Sequence, residues 1–324
     1  MSRAPIRVAL LAGGGGGAKL AEGFAALDDV VLSVIGNVAD DDWFHGLLVS
    51  PDIDTLTYTL AGLIDRDQGW GVRDEGARAL SVLETLGQDC WMSLGDRDFG
   101  LHIYRTMRLR AGDRPGTIAR DVARAFGVTA DIILPTDDPV RTRLRTPDGW
   151  LSFQEYFVRD KCRPDVVELA WQGIDTARAT PEALKAIEDA DIIVISPSNP
   201  LVSIAPILQI DTIRAACSSA GAPVLGVSPL IAGRAVKGPA DRMMAGLGLR
   251  ADAAGVAAFY DGLLDLLVID SADDALSDGV EAHGARAVCR DTLMKTRDDK
   301  TGLARQLLQL GAGPDQRERD DDHV

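Results

Sequence analysis

The sequence predicts an α/β fold with an open, Rossmann-like and mostly parallel sheet, helices on both faces, and a helical and hairpin insertion. Three observations predict it: short apolar runs recur along the chain, helical patterns separate several of them, and a run of five glycines follows the first. Strands buried on both faces appear as continuous apolar runs, and strands alternating with helices form right-handed parallel sheets. We therefore expect one α/β domain over residues 1–310.

The strands of this sheet are predicted where apolar runs are bounded by turn-forming residues. They are Ile6–Leu11, Val30–Ile35, Ile132–Leu134, Ile192–Ile195, Val224–Val227 and Leu264–Ile269. Helices are expected over Ala18–Ala26 and Pro181–Asp189. The second has Thr180 as its cap and a proline at its first position, which is a typical helix start.

An insertion is predicted near residues 60–175, where the alternation of strands and helices breaks down. Asp98–Arg110 and Thr117–Phe126 show the clearest helical patterns. Val140–Arg145 and Trp150–Glu155 flank the turn sequence Pro147-Asp148-Gly149, which indicates a β-hairpin.

Composition limits the classes of partner. The net charge of −15 would repel a phosphate backbone, so we expect no nucleic acid, and no run of 18 apolar residues predicts a membrane span. The polar end of the chain, Asp315–Val324, predicts a disordered acidic tail over residues 311–324.

The four cysteines are far apart and form no Cys-x-x-Cys pair. This spacing favours buried thiols over a metal site or disulfides, and thiols indicate a reducing compartment. The apolar run after Arg3 and Arg7 is too short for a signal peptide. We therefore expect a cytoplasmic protein.

The glycine run lies between the first strand and the first predicted helix. Backbone N–H groups of such a turn can approach a phosphate, which also gains from the helix dipole. The alternative is a flexible strand-to-helix connection, but the position favours phosphate binding. The residues expected to bind the nucleotide here are Gly13, Gly14, Gly16, Gly17 and Lys19.

A nicotinamide dehydrogenase is disfavoured, although Gly13, Gly15 and Ala18 formally meet the dinucleotide-binding pattern. Gly36 and Asn37 stand where the ribose-binding acid should end the second strand. The Walker pattern also fails because no serine or threonine follows Lys19.

Carboxylates cluster after the second strand. Asp40 and Asp52 should both lie at the carboxyl edge of the sheet, where open α/β proteins bind ligands. Acids beside a bound phosphate would repel it unless a divalent cation lay between them, so we expect Asp40 and Asp52 to hold Mg²⁺. The alternative is a solvated acidic loop. Asp54 has a structural alternative as the N-cap of the following helix.

Small polar side chains end the fourth and fifth strands, where they could contact ribose and phosphate. They are also ordinary turn formers, so each alone is a weak signal. The candidates are Ser198, Asn199, Ser203, Ser228 and the nearby Lys237. In the insertion, Arg97 and Arg159 could bind an anionic donor or an acceptor hydroxyl; the alternative is ion pairing with neighbouring acids.

Taken together, these segments resemble the 2-phospho-L-lactate transferase family of coenzyme F-420 biosynthesis. Seven stretches match in family order between about residues 6 and 270. They are Leu11–Gly14 with Gly16–Lys19, Asn37–Asp42, Ser50–Thr55 continuing into Tyr58–Gly62, Leu94–Asp98, Phe153–Arg159, Pro197–Pro200, and Val227–Pro229 with Lys237–Ala240.

The resemblance implies transfer of a phospho-carboxylic acid group from a guanosine diphosphate-linked donor to the ribityl hydroxyl of the deazaflavin Fo, with release of GMP. The acid is 2-phospholactate, phosphoenolpyruvate or 3-phosphoglycerate. It also implies Mg²⁺ and a homodimer. By motif, Asp40 and Asp52 are assigned to catalysis and metal, and Asp40, Asp54, Arg97 and Arg159 to Fo.

Two departures from the family pattern are small residues: Ala39 stands where glycine is usual, and Gly15 where valine or threonine is common. Neither removes a reactive group. The main alternative is a non-catalytic regulator that resembles the gluconeogenesis factor and binds a UDP-sugar. Phe153–Arg159 and the paired acids weigh against it, because they indicate an acceptor site.

Overall fold

The computed structural model describes residues 4–312. Its strands are β1 (Ile6–Ala12), β2 (Val30–Gly36), β3 (Asp42–Phe44), β4 (Leu47–Val49), β5 (Asp131–Ile133), β6 (Arg141–Thr146), β7 (Gly149–Ser152), β8 (Glu168–Gln172), β9 (Ile192–Ile195), β10 (Val224–Val227), β11 (Leu230–Ile231), β12 (Arg234–Ala235), β13 (Leu266–Asp270) and β14 (Arg286–Arg290).

The helices are α1 (Gly14–Ala25), α2 (Pro51–Leu60), α3 (Arg78–Thr85), α4 (Asp96–Arg110), α5 (Pro115–Ala125), α6 (Pro181–Glu188), α7 (Ala205–Gln209), α8 (Ile213–Ser219), α9 (Ala240–Gly246), α10 (Ala253–Phe259), α11 (Ser277–Glu281) and α12 (Arg297–Gly311). Short π-helical turns lie at Glu155–Arg159 and Pro200–Ile204, and 3-10 turns at Ile174–Thr176 and Ser271–Leu276.

The central sheet has seven strands in the order β14-β13-β10-β9-β1-β2-β5, and every neighbouring pair is parallel. The chain runs outward from β1 to β5, returns to β9 beside β1, and then runs outward to β14. The strand order therefore reverses between β1 and β9, which is where open α/β sheets bind ligands. The predicted fold class is confirmed.

Both faces of the sheet are covered, because alternate side chains of β1 enter different clusters. Val8 and Leu10 pack in a core that includes residues of α1 and α12. Ala9 and Leu11 pack in the other, which includes residues of α6, α8 and α10. Burial on both sides explains the continuous apolar runs in the sequence.

The six predicted strands are all found, with ends within two residues of the prediction. Helix α6 also begins as predicted, and the Thr180 hydroxyl accepts a hydrogen bond of 3.2 Å from the Ala183 N–H. The sequence missed β14, an edge strand that pairs with β13 and has arginine at both ends.

The predicted insertion consists of two segments, because β5 lies between them and belongs to the central sheet. The first contains α3, α4 and α5. The second contains the predicted hairpin, β6 and β7, extended by β8 into a three-stranded antiparallel sheet. The small β3–β4 hairpin, which follows β2, was not predicted.

The start of α1 differs from the prediction. The helix begins at Gly14, not near Ala18, so most of the glycine run forms its first turn. Gly13 is extended and Gly14 has φ of +58°, a conformation that glycine adopts without strain. A Cβ at Gly16 would lie 2.2 Å from the Pro197 carbonyl oxygen, so close packing requires glycine there.

Three further expectations concern the whole chain. Of the predicted tail, Gly311 ends α12 and Ala312 caps it; the remainder lies outside the described residues. All four cysteines are free, but only Cys217 is buried, so buried thiols were a wrong expectation for the other three. Across residues 4–312, no helix has the length and apolar character needed to span a membrane.

Candidate functional site

The glycine turn, residues 13–17, and the predicted acids Asp40 and Asp52 meet at the carboxyl ends of β1, β2 and β9. A Cβ added at Gly13 would lie 2.7 Å from Asp52 Oδ2, 2.8 Å from Ser203 Cβ and 3.2 Å from Asn37 Cβ. Parallel strands end at one edge of a sheet, which explains why segments so distant in sequence converge here. Glycine at position 13 leaves the room that this convergence requires.

Asn37 joins the two predicted catalytic acids. Its Nδ2 group donates to Asp40 Oδ2 at 3.1 Å and to Asp52 Oδ2 at 2.9 Å. The Asn37 Oδ1 atom accepts from the Ala39 N–H at 3.0 Å, which fixes the orientation of the amide. Asp40 and Asp52 therefore face each other across the Asn37 side chain. The sequence analysis gave Asn37 no role of its own and named it only where a ribose-binding acid is missing and within the matched stretch Asn37–Asp42.

Burial makes this cluster electrostatically unfavourable when it is ionised. The pKa of Asp40 is raised well above its usual value, first by burial and then by the charge of Asp52. Burial also raises the pKa of Asp52, although Asn37 and the backbone N–H of Gly14 oppose the shift. Burial raises the pKa of Asp41 to about 7. Three adjacent carboxylates thus gain from any cation brought between them.

The residues present fit a divalent cation. Asp40 Oδ1 is buried and has no hydrogen-bond partner, and carboxylate oxygens are the ligands that Mg²⁺ prefers. Within residues 4–312, no group of three or more His, Cys, Asp or Glu side chains could hold a metal. A cation held by Asp40 and Asp52 would thus take its remaining ligands from substrate phosphates and water, as is usual for Mg²⁺.

The first turn of α1 offers room and positive charge beside the acids. A Cβ at Gly14 would meet no atom within 4 Å. Burial lowers the pKa of Lys19, and the positive charges of Lys300 and Lys237 lower it further. A phosphate group at the helix N-terminus would relieve this repulsion.

Lys237 also contacts a loop that the sequence analysis did not single out. This loop, residues 64–72, is closed by a bridge between Ile64 and Val72, and the Lys237 Nζ group donates to the Gln68 carbonyl at 2.8 Å. The Gly69 carbonyl lies 3.9 Å from where a Cβ of Gly15 would be. The loop therefore lies against the glycine turn.

The strand-end polar residues divide into two groups. The Ser198 hydroxyl donates to the Gly13 carbonyl at 2.6 Å, so it ties the end of β9 to the glycine turn. Asn199 Oδ1 accepts from the Leu201 N–H, and Ser228 Oγ accepts from the Leu230 N–H, so both act as turn formers. Ser203 lies beside Gly13.

Arg97, Arg159 and Asp54 are not brought together. Arg97 is exposed and donates to the Arg73 carbonyl at 3.0 Å. Arg159 pairs with Glu155 at 2.8 Å and Asp160 at 3.1 Å, as the ion-pair alternative predicted. Asp54 is not an N-cap, because α2 begins at Pro51; it forms a buried pair with Arg105 instead.

Two adjoining cavities open beside Asp40. The inner one, about 180 Å³, is lined by residues that include Asp40, Asp41 and Gln154. The outer one, about 360 Å³, has aromatic side chains from Trp43, Phe44 and Trp91. They share Asp42, Arg143 and Ser152, so together they form one cleft from the acid pair to an aromatic rim.

Arg159 borders this cleft. Its guanidinium lies 5.7 Å from the ring centroid of Trp91, and its partner Glu155 lines the outer cavity. Sequence reasoning did not select Trp43 and Trp91, which line the outer cavity, because isolated tryptophans carry no motif. Trp43 directly follows the matched stretch Asn37–Asp42, and Trp91 lies three residues before the matched stretch Leu94–Asp98, so both could have been noted.

Comparison with known proteins identifies a family. Residues 8–307 match the profile of the family described as "2-phospho-L-lactate transferase CofD". The chain is 38% identical over 312 residues to a phosphoenolpyruvate transferase of Streptomyces griseus, covering 94% of this chain and 98% of the relative. It is 37% identical over 302 residues to a 2-phospho-L-lactate transferase of Methanospirillum hungatei, covering 93% and 99%.

Among solved structures, the chain is similar to a member of the UPF0052 family from Bacillus halodurans. The TM-score is 0.63 at 16% identity, and the match covers 95% of this chain and all of the other. At this identity the likeness supports the fold alone.

Proposed function

Because the chain belongs to the 2-phospho-L-lactate transferase CofD family and is a transferase, we propose that it acts on the deazaflavin Fo. It would transfer a phospho-carboxylic acid group from a guanosine diphosphate-linked donor and release GMP. The observation that carries the proposal is the Asn37-linked pair of Asp40 and Asp52, which lies between the glycine turn and the aromatic cleft.

The donor would lie on the glycine turn. Its diphosphate would meet the N-terminus of α1 with Lys19 and Lys237 nearby, and the loop of residues 64–72 would border it. Asp52 is the acid on this side, since its Oδ2 atom is the one next to Gly13. Bound Mg²⁺ would be held by Asp40 and Asp52 and would neutralise charge on the phosphoryl oxygens and on the leaving GMP.

The acceptor would lie in the cleft. A planar deazaflavin suits the outer cavity with its aromatic side chains Trp43 and Trp91, and the ribityl chain would then run inward to Asp40. Aromatic rings favour stacking, and Arg159 beside Trp91 could contact the polar edge of the ligand.

The transfer is a displacement at the phosphorus that carries the acid. The ribityl hydroxyl oxygen forms a bond to this phosphorus, and the bond to the bridging oxygen of GMP breaks. Asp40 accepts the hydroxyl proton, because its carboxylate lines the inner cavity in which the ribityl chain would end. The product is a phosphodiester of Fo.

The names of the relatives suggest an order in which to test the three candidate donors. Relatives at 38% identity are named phosphoenolpyruvate transferases, and those at 34–37% are named 2-phospho-L-lactate transferases. We therefore place the enolpyruvyl donor first, the lactyl donor second and the glyceryl donor third.

The homodimer that the resemblance implies is a further proposal, which sedimentation velocity would test.

The deciding experiment incubates the protein with Fo, Mg²⁺ and each donor in turn. Chromatography of the deazaflavin chromophore should show a more anionic product, and GMP should appear in equal amount. The matched control is Asp40→Asn, which should lose transfer while it still binds GDP. Protein that binds GDP but forms no product with any donor would contradict the proposal, and a preference for a UDP-sugar over GDP would favour a non-catalytic regulator.

A further inference from the structure

A buried ion pair joins α4 to residues 40–54, which carry the predicted acids and are called the acid segment here. Asp54, on α2, and Arg105, on α4, are 51 residues apart and only 5% and 6% exposed. Arg105 Nη1 donates to Asp54 Oδ2 at 3.1 Å, and Nη2 donates to Asp54 Oδ1, which makes the pair bidentate. Asp54 belongs to the same helical turn as Asp52, so the pair ties the position of that turn to α4.

Arg105 also contacts the acid segment at a second point, ahead of Asp52 in the chain. Its Nη1 group donates to the Leu48 carbonyl at 3.4 Å, while the Leu48 N–H donates to the Thr106 hydroxyl at 2.9 Å. Leu48 lies in β4, which leads to Ser50, and the Ser50 hydroxyl donates to Asp41 Oδ2 at 2.8 Å. Helix α4 therefore holds the chain on both sides of Asp52, at Leu48 and at Asp54.

The neighbour on the remaining side of Arg105 is neutral. Arg105 Nη1 donates to His102 Nδ1 at 3.0 Å, so that nitrogen must carry its lone pair. Burial lowers the pKa of His102 to about 4, in agreement with a neutral ring. The carboxylates of Asp54 and Asp41 are therefore the main charges that act on Arg105.

Fold stability alone gives little reason for this arrangement. Arg105 and Lys300 are the only buried Lys or Arg residues among those described, and Lys300 pairs with Glu22 elsewhere. Replacing a buried ion pair by apolar residues of similar size is often neutral or stabilising. A buried, bidentate arginine held by two further contacts is therefore better explained by the geometry that it imposes.

We infer that Arg105 is a positioning residue for the proposed transfer: through Asp54 and Leu48 it fixes Asp52 and the acid segment against the glycine turn. The inference rests on the proposed function and assigns Asp54 to Arg105 instead of to Fo. Arg105 contacts no expected substrate atom, so it acts through the acids and is not itself catalytic.

The test separates geometry from stability with three variants. The double substitution Asp54→Leu with Arg105→Met removes the pair without leaving a lone buried charge. Arg105→Lys keeps the charge but loses the bidentate contact. Arg108→Met is the matched control, since Arg108 lies one turn further along α4 and pairs with Asp113 and Asp121, away from the acids.

Four quantities are measured for each variant: thermal unfolding, GDP affinity, Mn²⁺ binding in the presence of GDP by electron paramagnetic resonance, and kcat and KM with the active donor. We expect the double variant to unfold near the wild-type temperature and to keep its GDP affinity. Its kcat should fall by about 100-fold, because displacement of a catalytic group by about 1 Å has that effect. Its Mn²⁺ affinity should fall by about tenfold, as for other residues that orient metal ligands.

The two single variants have expected results of their own. Arg105→Lys should show an intermediate kcat with an unchanged KM for the donor, and Arg108→Met should match the wild type. A folded double variant with wild-type kcat and Mn²⁺ affinity would overturn the inference, as would an Arg105→Lys variant with wild-type values. Mn²⁺ binding needs neither Fo nor donor, so this arm tests the positioning role even if the proposed transfer fails.

Discussion

Asp41→Asn should make the protein more stable at pH 8, an unusual result for a buried polar residue. Burial raises the pKa of Asp41 to about 7, and its Oδ1 atom has no hydrogen-bond partner. A carboxyl group whose pKa is raised on folding favours the folded state at low pH and opposes it as pH rises past the unfolded value. Asparagine has no such charge and can still accept the Ser50 hydroxyl hydrogen bond.

The magnitude follows from the size of the shift. The pKa moves from 3.8 to about 7, and each unit corresponds to about 1.4 kcal/mol. At pH 5 the unfolded carboxyl is already mostly ionised and the folded one is protonated; at pH 8 both are ionised. The stability of the variant relative to the wild type should therefore rise by about 2–3 kcal/mol between pH 5 and pH 8.

Urea unfolding at both pH values, in buffer without divalent cations, measures this change directly. The control is Asp191→Asn. Arg7 lowers the pKa of Asp191, so this residue is ionised in both states above pH 5 and its substitution should have the same effect at pH 5 and 8. An Asp41→Asn difference that stays constant or shrinks with rising pH would refute the account of the acid cluster as an unfavourably buried charge.

Three other predictions concern the substrate sites. Gly16→Ala should weaken GDP binding by at least about tenfold in calorimetry, because its Cβ would collide with the Pro197 carbonyl and displace the glycine turn; wild-type affinity would contradict this. Lys237→Ala should lower the thermal stabilisation by GDP, and an unchanged shift would exclude Lys237 from the phosphate site. Trp91→Ala should raise the KM for Fo by about tenfold while GDP binding stays unchanged, whereas a loss of GDP binding would place the acceptor elsewhere.

Much of the fold could be predicted because its signals are local. Ile192–Ile195 and Val224–Val227 are buried on both faces, so they stand out as apolar runs whatever they pack against. The Thr180 cap and Pro181 define the start of α6 within a few residues. The edge strand β14 lacks this signal, since one side of it has no neighbouring strand to bury it.

The place of the site could also be predicted, because parallel strands end at one edge and Asp40 and Asp52 follow the second strand closely. The sequence alone therefore determined the α/β class and the position of Asp40 and Asp52 at one edge of the sheet, while their binding of a cation is still a prediction.

Only the tertiary structure decided how those residues are used. Gly14 to Gly17 form the first turn of α1 despite their low helix propensity, and at Gly16 and Gly17 the packing against Pro197 and Ala12 leaves no room for a side chain. Asp54 pairs with Arg105, 51 residues away, instead of capping its own helix. The partner of a buried charged side chain depends on which groups the fold brings next to it, because an unpaired buried charge is costly. Those groups are distant in sequence, so no local sequence pattern can predict them.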